Sequence, residues 1–393
     1  MLGLADFRKD PINIAILLPL SGPNKNTGQA LLDAASLALF EAYDPRLSLR
    51  PYDTEGTPEG AQRAVRSAIH EKSKIILGPL FSDSIKAISS LTQKAGVKVI
   101  GFSNDKEAAG DNVYLLSFLP ETEVSRIISY AVSRGYKKFA SLIPEGEYGE
   151  IILESISKSV QDNNGLITGL EIYPQDPQAV SGPVRRLANY NERRRAYLQE
   201  KAFLEGLGDD LSIEALKKIE TLETLGGVAF EAVMVPEGGE LLRSLVPLLP
   251  FYEINPAKIK FLGTGLWDDR SLIHEPPLAG GWYASSPQEL SLIFIQKFEK
   301  YYNYTPPRIS SLAFDAMSLV AKLSRNEMKV ERFSKKILEN KNGYSGVDGI
   351  FRFNKNGTTE RGLDIIEIQP GGFKTISPAP KNFKDYITLT SNK

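Results

Sequence analysis

Near the start of the chain, an apolar run is followed by a polar turn and then by apolar positions with helical spacing. Residues 12–20 read INIAILLPL, which is typical of a strand buried on both faces of a parallel sheet. After a turn that begins with Ser21 and Gly22, apolar residues recur at offsets of three and four, at Leu31, Ala34, Ala35, Ala38, Leu39 and Ala42. This order predicts a βα unit. Its loop leaves the carboxyl end of the strand, where open α/β sheets bind ligands.

The same alternation of strand and helix patterns recurs along the chain and then starts again near residue 120. Strands are predicted at 12–20, 47–53, 74–77, 97–102, 112–118, 138–143, 166–173, 232–235 and 258–262. Helices are predicted from residue 58 and over 84–95, 151–161, 289–302 and 309–323. Strands that alternate with helices predict parallel sheets covered by helices. Two copies of the pattern therefore predict an α/β protein with two doubly wound lobes and a ligand site in a cleft between them.

Two segments depart from this alternation. Residues 182–227 are rich in charges of both signs and predict a solvated helical insertion, although a phosphate-binding or partner-binding patch is the alternative. Near the end, the alternating pattern around Ile350 and the turn NKNG at 354–357 predict a β-hairpin, completed by a strand at 363–368. The tail from 378 to 393 is expected to be poorly ordered.

Composition excludes several function classes. The 393 residues are 42% hydrophobic and carry a formal net charge of −1, which argues against a nucleic-acid-binding protein. No apolar window is long enough for a transmembrane segment. The chain has no cysteine, and its two histidines, His70 and His274, are expected at a helix end and in a surface loop. A metal site, a cofactor site or a Ser-His-Asp triad therefore has few residues from which to form.

Several phrases, taken in order, resemble the type I periplasmic binding proteins, which include the leucine/isoleucine/valine receptors of ABC transporters. They are IAILLPLSGPN, GPLFSDSIKAI, VIGFSND, EYGE and SGVDGIFRFNKNGTTERGLDIIEI, and together they extend over residues 11 to 375. Within this group, LLPLSGPN, GPLFSDS and VYLLSFLPE most resemble the penicillin-binding-protein activator lipoproteins of the LppC type.

The resemblance implies two lobes joined by three crossover segments, near Leu119, Ala284 and Gly343, and a hinge that closes on a ligand. The first lobe would comprise residues 11–119 and 286–343. The second would comprise residues 120–285 and 344–377.

The resemblance also implies which residues hold a ligand. In the amino-acid receptors, hydroxyl and backbone N–H groups after the third and fourth strands bind the ligand carboxylate. Ser82, Ser84, Ser103, Asn104 and Asp105 match those positions, and the alternative for Ser82 or Ser84 is a helix cap. Tyr148 of EYGE matches a tyrosine that closes over the ligand, and ordinary packing is its alternative. Ser21 joins these candidates, as do Trp267 and Asp268, which would supply an apolar wall and an ammonium partner.

One departure from the amino-acid receptors concerns charge. Where they favour small residues and threonine, this chain has Asp105, whose carboxylate would repel a ligand carboxylate. This difference favours the activator-like group over the free amino-acid receptors.

The sequence therefore predicts a non-enzymatic binding protein of the cell envelope. By resemblance it would regulate peptidoglycan synthesis through contact with a penicillin-binding protein. The alternative is a solute receptor that delivers a small polar ligand to an ABC permease. A third class, a hydrolase, would rely on Glu145, Glu147 and Glu150, which solvated loop charges explain more simply.

The location expected for this protein depends on the resemblance. Residues 1–10 lack the apolar core of a signal peptide, so the sequence fits either a cytoplasmic protein or one whose leader lies outside it. The resemblance implies the periplasm and leaves open whether a lipidated amino terminus anchors the protein.

Overall fold

The computed structural model describes residues 11–110, 112–325 and 331–383, which divide into two compact units. Among these residues, the first unit comprises 11–119, 286–362 and 379–383, and the second comprises 120–285 and 363–378. The first two divisions fall within two residues of the predicted crossover positions. The third falls after Gly362 instead of near Gly343, because Tyr344, Phe351 and Phe353 are buried in the core of the first unit.

The first unit contains a parallel five-stranded sheet with the order β2-β1-β3-β4-β5. Its strands are β1 Ile12–Leu18, β2 Leu47–Asp53, β3 Ile75–Leu77, β4 Lys98–Gly101 and β5 Val113–Leu115. The helices that alternate with them are α1 Lys25–Ala42, α2 Pro58–His70 and α3 Ser82–Ala95. Strand β1 is apolar at nearly every position because both of its faces are covered, as predicted for a doubly wound sheet.

The second unit contains a mixed seven-stranded sheet with the order β15-β14-β10-β9-β8-β6-β7. The elements from residue 120 to residue 219 are α4 Pro120–Ser133, β6 Lys138–Pro144, α5 Glu147–Asp162, β7 Leu166–Tyr173, α6 Ser181–Leu187, α7 Tyr190–Leu207 and α8 Asp210–Ile219. Those from residue 232 to residue 285 are β8 Ala232–Met234, α9 Gly239–Leu245, α10 Leu248–Phe251, β9 Lys260–Gly263 and β10 Trp282–Ser285.

The remaining elements divide between the units. The first unit contains α11 Gln288–Tyr302, α12 Ser310–Ser324, α13 Lys335–Leu338 and an antiparallel sheet of β11 Tyr344–Gly346, β12 Gly349–Phe353 and β13 Thr359–Arg361. The second unit contains β14 Asp364–Gln369 and β15 Gly372–Ser377.

Two expectations about the last third of the chain need correction. The predicted hairpin forms around residues 354–357, but Thr359–Arg361 completes it, whereas the strand expected at 363–368 becomes β14 and pairs with β10 in the other unit. Phe383 is fully buried, so the packed part of the chain extends at least to that residue. The rest of the predicted tail lies outside the described residues.

The charged insertion is helical, as expected, and several of its charges are paired. Arg193 is buried and forms an ion pair with Glu253 at 2.8 Å, while Arg186 pairs with Glu171 at 2.8 Å. Arg195 pairs with Glu192, one turn away, at 3.0 Å. This pairing favours the interpretation as a solvated helical insertion over that of an open basic patch that binds phosphate or a partner. No helix among the described residues is long and apolar enough to cross a membrane.

A buried cluster of charges lies in the core of the first unit. The carboxylate of Asp348, in the β11–β12 turn, forms an ion pair with Arg308 at 2.6 Å. Arg361, on β13, donates through Nε to the carbonyl oxygen of Ser117 at 3.1 Å. Asp315, on α12, accepts the N–H of Val347 at 2.7 Å. Burial, together with the charge of Asp348, raises the pKa of Asp315 to about 7, against the opposing charge of Arg361.

This raised pKa predicts how stability depends on pH. The folded state holds the Asp315 proton up to about pH 7, whereas an unfolded aspartate releases it near pH ~3.9. The stabilisation from this group is therefore fully present below about pH 4 and is lost as the pH rises to about 7. We expect Asp315→Asn to remove this contribution, so the difference in unfolding free energy between wild type and variant should change across that window. Urea unfolding followed by circular dichroism at several pH values checks this, and a constant difference would contradict it.

Candidate functional site

In the first unit, several of the predicted ligand residues lie against charged side chains of the same unit. The carboxylate of Asp53, at the end of β2, accepts N–H groups of Leu20 at 2.9 Å and Glu55 at 2.8 Å, and the neighbouring Ser21 helps to lower its pKa. Partial burial opposes ionisation of Asp53, but these hydrogen bonds outweigh it and keep its pKa below the usual value. The carboxylate of Asp53 therefore joins the loops after β1 and β2, with Ser21 beside it.

The two serines of GPLFSDS do not act as helix caps. Phe81 occupies the N-cap position of α3 without a side-chain hydrogen bond, and Ser82 is the first helical residue. Ser82 instead lies near the carboxylate of Asp105 and helps to lower its pKa. Ser84 is 1% exposed, and its hydroxyl has no hydrogen-bond partner among the described residues. In this conformation the hydroxyl of Ser84 faces the interior of the unit.

The loop after β4 is organised around Asp105. Its carboxylate accepts a hydrogen bond from Lys86 Nζ at 2.8 Å and from the N–H of Glu107 at 2.9 Å. The hydroxyl oxygen of Ser103 accepts the N–H of Asp105 at 3.1 Å, while the side chain of Asn104 is exposed. Burial opposes ionisation of Asp105, but the bond from Lys86 and the neighbouring donors lower its pKa overall. This edge of the sheet therefore presents an ionised, partnered carboxylate.

In the second unit, Tyr148 lies in the first turn of α5, whereas the sequence predicted a loop at this position. The reason is a close approach at Gly149, where a β-carbon would lie 1.7 Å from the carbonyl oxygen of Pro144. Only glycine lets α5 begin this close to the end of β6. Glu147 and Glu150 also lie in this first turn, where negative charge is favourable.

The turn of α5 brings Tyr148 next to the loop that follows β9. Its hydroxyl is 3.3 Å from Oγ1 of Thr264, and the N–H of Gly265 donates to Glu123 Oε2 at 2.8 Å. Burial raises the pKa of Tyr148, and the charges of Glu123 and Glu237 raise it further. The phenol of Tyr148 therefore stays protonated at physiological pH and can donate or accept a hydrogen bond.

Glu237, which follows β8, extends this group. Its Oε2 accepts the hydroxyl of Tyr173 at 2.8 Å, and burial together with the Glu237 charge raises the pKa of Tyr173. Tyr148, Tyr173, Thr264, Glu123 and Glu237 thus form a polar cluster at the carboxyl ends of β6, β7, β8 and β9. Its members are phenols, a hydroxyl and carboxylates, so its chemistry suits a ligand group that is cationic or rich in hydrogen-bond donors.

Trp267 and Asp268 occupy different environments. Trp267 is 0% exposed, and its indole N–H donates to the carbonyl oxygen of Val235 at 3.1 Å. It supports the loop from the core side and presents no wall to a ligand in this conformation. Asp268 is exposed, and its Oδ2 accepts the hydroxyl of Ser285 at 3.1 Å.

Sequence reasoning missed four members of the polar cluster: Tyr173, Thr264, Glu123 and Glu237. Glu237 follows a buried strand in VMVPEGG, and Tyr173 and Thr264 lie where strands end, so the rule that selected Ser103 would also have found them. Glu123 lies on α4 and has no such local signal.

The carboxylates considered for hydrolysis do not form a reactive pair. Glu145, Glu147 and Glu150 are all exposed to solvent, which keeps such groups hydrated. Among the described residues, no group of three or more His, Cys, Asp or Glu side chains is placed to hold a metal ion.

Part of this chain is similar in sequence to known periplasmic proteins. A family model described as periplasmic binding protein matches residues 11–192. An uncharacterised protein of Rickettsia prowazekii is 29% identical over 179 residues, which are 45% of this chain and 47% of the relative. The penicillin-binding protein activator LpoA of Vibrio cholerae is 22% identical over 152 residues, 38% of this chain and 25% of the relative. The chain thus spans less than half the length of these curated relatives.

Solved structures match over nearly the whole chain. A structure from Rhodospirillum rubrum has a TM-score of 0.71 and 16% identity, and the match covers 93% of this chain and 100% of that one. An ABC transporter substrate-binding protein from Sphaerobacter thermophilus has a TM-score of 0.66 and 17% identity, with 94% and 97% covered. Residues 11–192 therefore resemble the periplasmic binding protein family, and the chain as a whole has the type I periplasmic binding protein fold.

Proposed function

We propose that this chain is a non-catalytic binding protein of the periplasm that activates a penicillin-binding protein through its surface. The observation that carries the proposal is the state of the first unit's ligand positions. Ser21 and Ser82 lie beside carboxylates of the chain itself and help to lower their pKa, and Asp105 is paired with Lys86 at 2.8 Å. A free amino acid would bring its carboxylate against that of Asp105 and would have to compete with it for Lys86, which makes amino-acid binding unfavourable.

The likeness to LpoA of Vibrio cholerae supports the nature of the partner. That relative is named as a penicillin-binding protein activator, and it shares 22% identity with 38% of this chain. The activity proposed for this chain needs no reactive side chain, in keeping with a family and fold of binding proteins. A peptidoglycan synthase in the periplasm would be reached either by a freely diffusing protein or by one with a lipid anchor.

The second candidate is a solute receptor for an ABC permease, and the polar cluster of the second unit favours it. Glu123 and Glu237 lie near the phenol of Tyr148, so a ligand with an ammonium or several hydrogen-bond donors would find acceptors there. The likeness to an ABC transporter substrate-binding protein over 94% of the chain points the same way. Such a ligand would differ from a simple amino acid because it would not rely on the first unit's serines.

A paired experiment tests the proposal. We expect the purified chain to raise the rate at which a penicillin-binding protein of the same bacterium polymerises or cross-links its lipid-linked precursor. In a thermal-shift screen against amino acids, short peptides, sugars and polyamines, we expect no stabilisation. A solute receptor with ligand at 100 times its dissociation constant would instead gain about 2.7 kcal/mol.

Variants of the polar cluster make the two outcomes separable. Glu237→Gln removes a cluster carboxylate, while Glu240→Gln changes an exposed neighbour on α9 and serves as the matched control. An activator should tolerate both changes. A ligand whose stabilising effect is lost in Glu237→Gln and kept in Glu240→Gln, together with an unchanged synthase rate, would replace the activator proposal with the receptor.

A further inference from the structure

We propose that an exposed face of α11 is the interface of a two-fold symmetric dimer of this chain. The inference goes beyond the proposed function and does not depend on it. Leu290, Leu292 and Ile293 on this helix are 43%, 40% and 49% exposed. Apolar side chains that are both exposed and contiguous mark interaction surfaces more often than scattered ones do.

The apolar surface continues from α11 onto the end of α1. The ring of Phe40 lies 5.7 Å from the ring of Tyr43 and 6.1 Å from the ring of Tyr301, the latter on the last turn of α11. An ion pair of 2.8 Å between Lys297 Nζ and Glu41 Oε1 joins the two helices beside these rings. The exposed aromatic residues therefore adjoin the side of α11 that carries Leu290, three turns before Tyr301, whereas Leu292 lies on the opposite flank of the exposed face.

The charges on this face identify the occupant. Glu289, Ile293, Gln296 and Lys300 are all exposed and are spaced by four, three and four residues, so they form one line along α11. The side chains of Glu289 and Lys300 form no hydrogen bond or ion pair with the rest of the described chain. The line thus has an acid at one end and a base at the other, and both can form ion pairs with another molecule.

The spacing of this line is the same when read from either end. A second copy of α11, packed antiparallel, therefore places its Lys300 opposite Glu289 and its Glu289 opposite Lys300. Ile293 then lies opposite Gln296 of the second copy, near the two-fold axis, as an isologous interface requires. A lipid surface or an unrelated protein would not need an acid and a base at equal distances from the centre of the face.

Sedimentation velocity over a concentration series tests the dimer. We expect weak, reversible self-association, because one helix pair buries less area than a standard interface. Association should weaken further at high salt, because salt screens the exposed ion pairs. Ile293→Asp should abolish association, since it brings two carboxylates together near the axis. Leu207→Asp, at the exposed end of α7, is the matched control and should leave association unchanged.

Charge exchange makes the test specific for the antiparallel arrangement. Glu289→Lys and Lys300→Glu should each weaken self-association about tenfold, because both ion pairs become repulsive. An equimolar mixture of the two variants should form heterodimers, and the double variant should associate like the wild type. Circular dichroism confirms that each variant is folded. A monomeric wild type, a dimer lost in Leu207→Asp, or a mixture that fails to associate would overturn the proposal.

Discussion

Replacing Arg361 with methionine is expected to destabilise the first unit by about 3–5 kcal/mol, the usual result of removing one partner from a buried charge cluster. Arg361 is 3% exposed, and its charge acts on both Asp348 and Asp315. In its absence Asp348 keeps its ion pair with Arg308, which is half exposed, and Asp315 loses the positive charge that lowers its pKa. Methionine keeps an unbranched apolar stem in the same place, so most of the loss reports on charge.

The measurement has to separate the two units. Both tryptophans, Trp267 and Trp282, lie in the second unit, so tryptophan fluorescence does not report directly on the first. Hydrogen–deuterium exchange of peptides from α12 and β12 does, and Arg361→Met should speed their exchange at neutral pH. Peptides from β6 supply the internal reference.

Arg352 offers a matched control on the neighbouring strand. It pairs with Glu360 at 2.7 Å, but both side chains are partly exposed, so Arg352→Met should cost about 1 kcal/mol or less. The double variant Arg361→Met/Asp315→Asn should lose less than the sum of its single changes, because asparagine removes the buried carboxyl that has to stay protonated once Arg361 is gone. Equal losses for Arg361→Met and Arg352→Met would contradict the assignment of a buried cluster.

This cluster also illustrates what the sequence could predict. The strands β1, β2 and β7 follow from apolar runs or residue pattern, and the bounds predicted for β2 and β7 agree with the structure. The alternation around Ile350 and the NKNG turn correctly indicate the β12–β13 hairpin. However, alternation alone cannot indicate that Arg361 faces inward. Its burial depends on partners on α12 and in the β11–β12 turn, which are distant in sequence.

Sheet membership was the least predictable part of the fold. The segment LDIIEI reads as a buried strand whichever sheet it joins, and its pairing with β10 is a non-local contact. Similarly, EGEYGE at 145–150 contains two glycines, Gly146 and Gly149, and its sequence predicts a loop. The structure uses Gly146 as the N-cap and Gly149 for a close approach, so the segment is helical.

For the candidate site, too, the sequence indicates local position but not long-range contacts. A polar residue after a strand can be located from the sequence, and Ser103, Asp105 and Asp268 do lie after strands. Which of them is already bonded to another side chain cannot be read locally. The ion pair of Asp105 with Lys86 joins the loop after β4 to helix α3, and the two residues are 19 positions apart in the sequence.

Replacing Trp267 with alanine is expected to destabilise the second unit by about 3–5 kcal/mol, the typical cost of truncating a fully buried aromatic residue. The indole packs directly on Gly263, where a β-carbon would lie 2.1 Å from the ring. Its N–H also satisfies the carbonyl oxygen of Val235. Loss of the ring should therefore loosen the loop that positions Thr264 and Gly265.

The close approach at Gly263 gives an independent version of this test. Gly263→Ala keeps the tryptophan but forces it away from the backbone, and overpacking of this kind costs about 1–3 kcal/mol or more. Gly372→Ala, in the same unit, is the matched control, because a β-carbon there would meet nothing within 4 Å. Urea unfolding followed by circular dichroism, with hydrogen exchange of peptides covering residues 260–285, measures both. If Trp267 were a ligand wall and not a core residue, Gly263→Ala would be as harmless as Gly372→Ala, and Trp267→Ala would change ligand binding with little loss of stability.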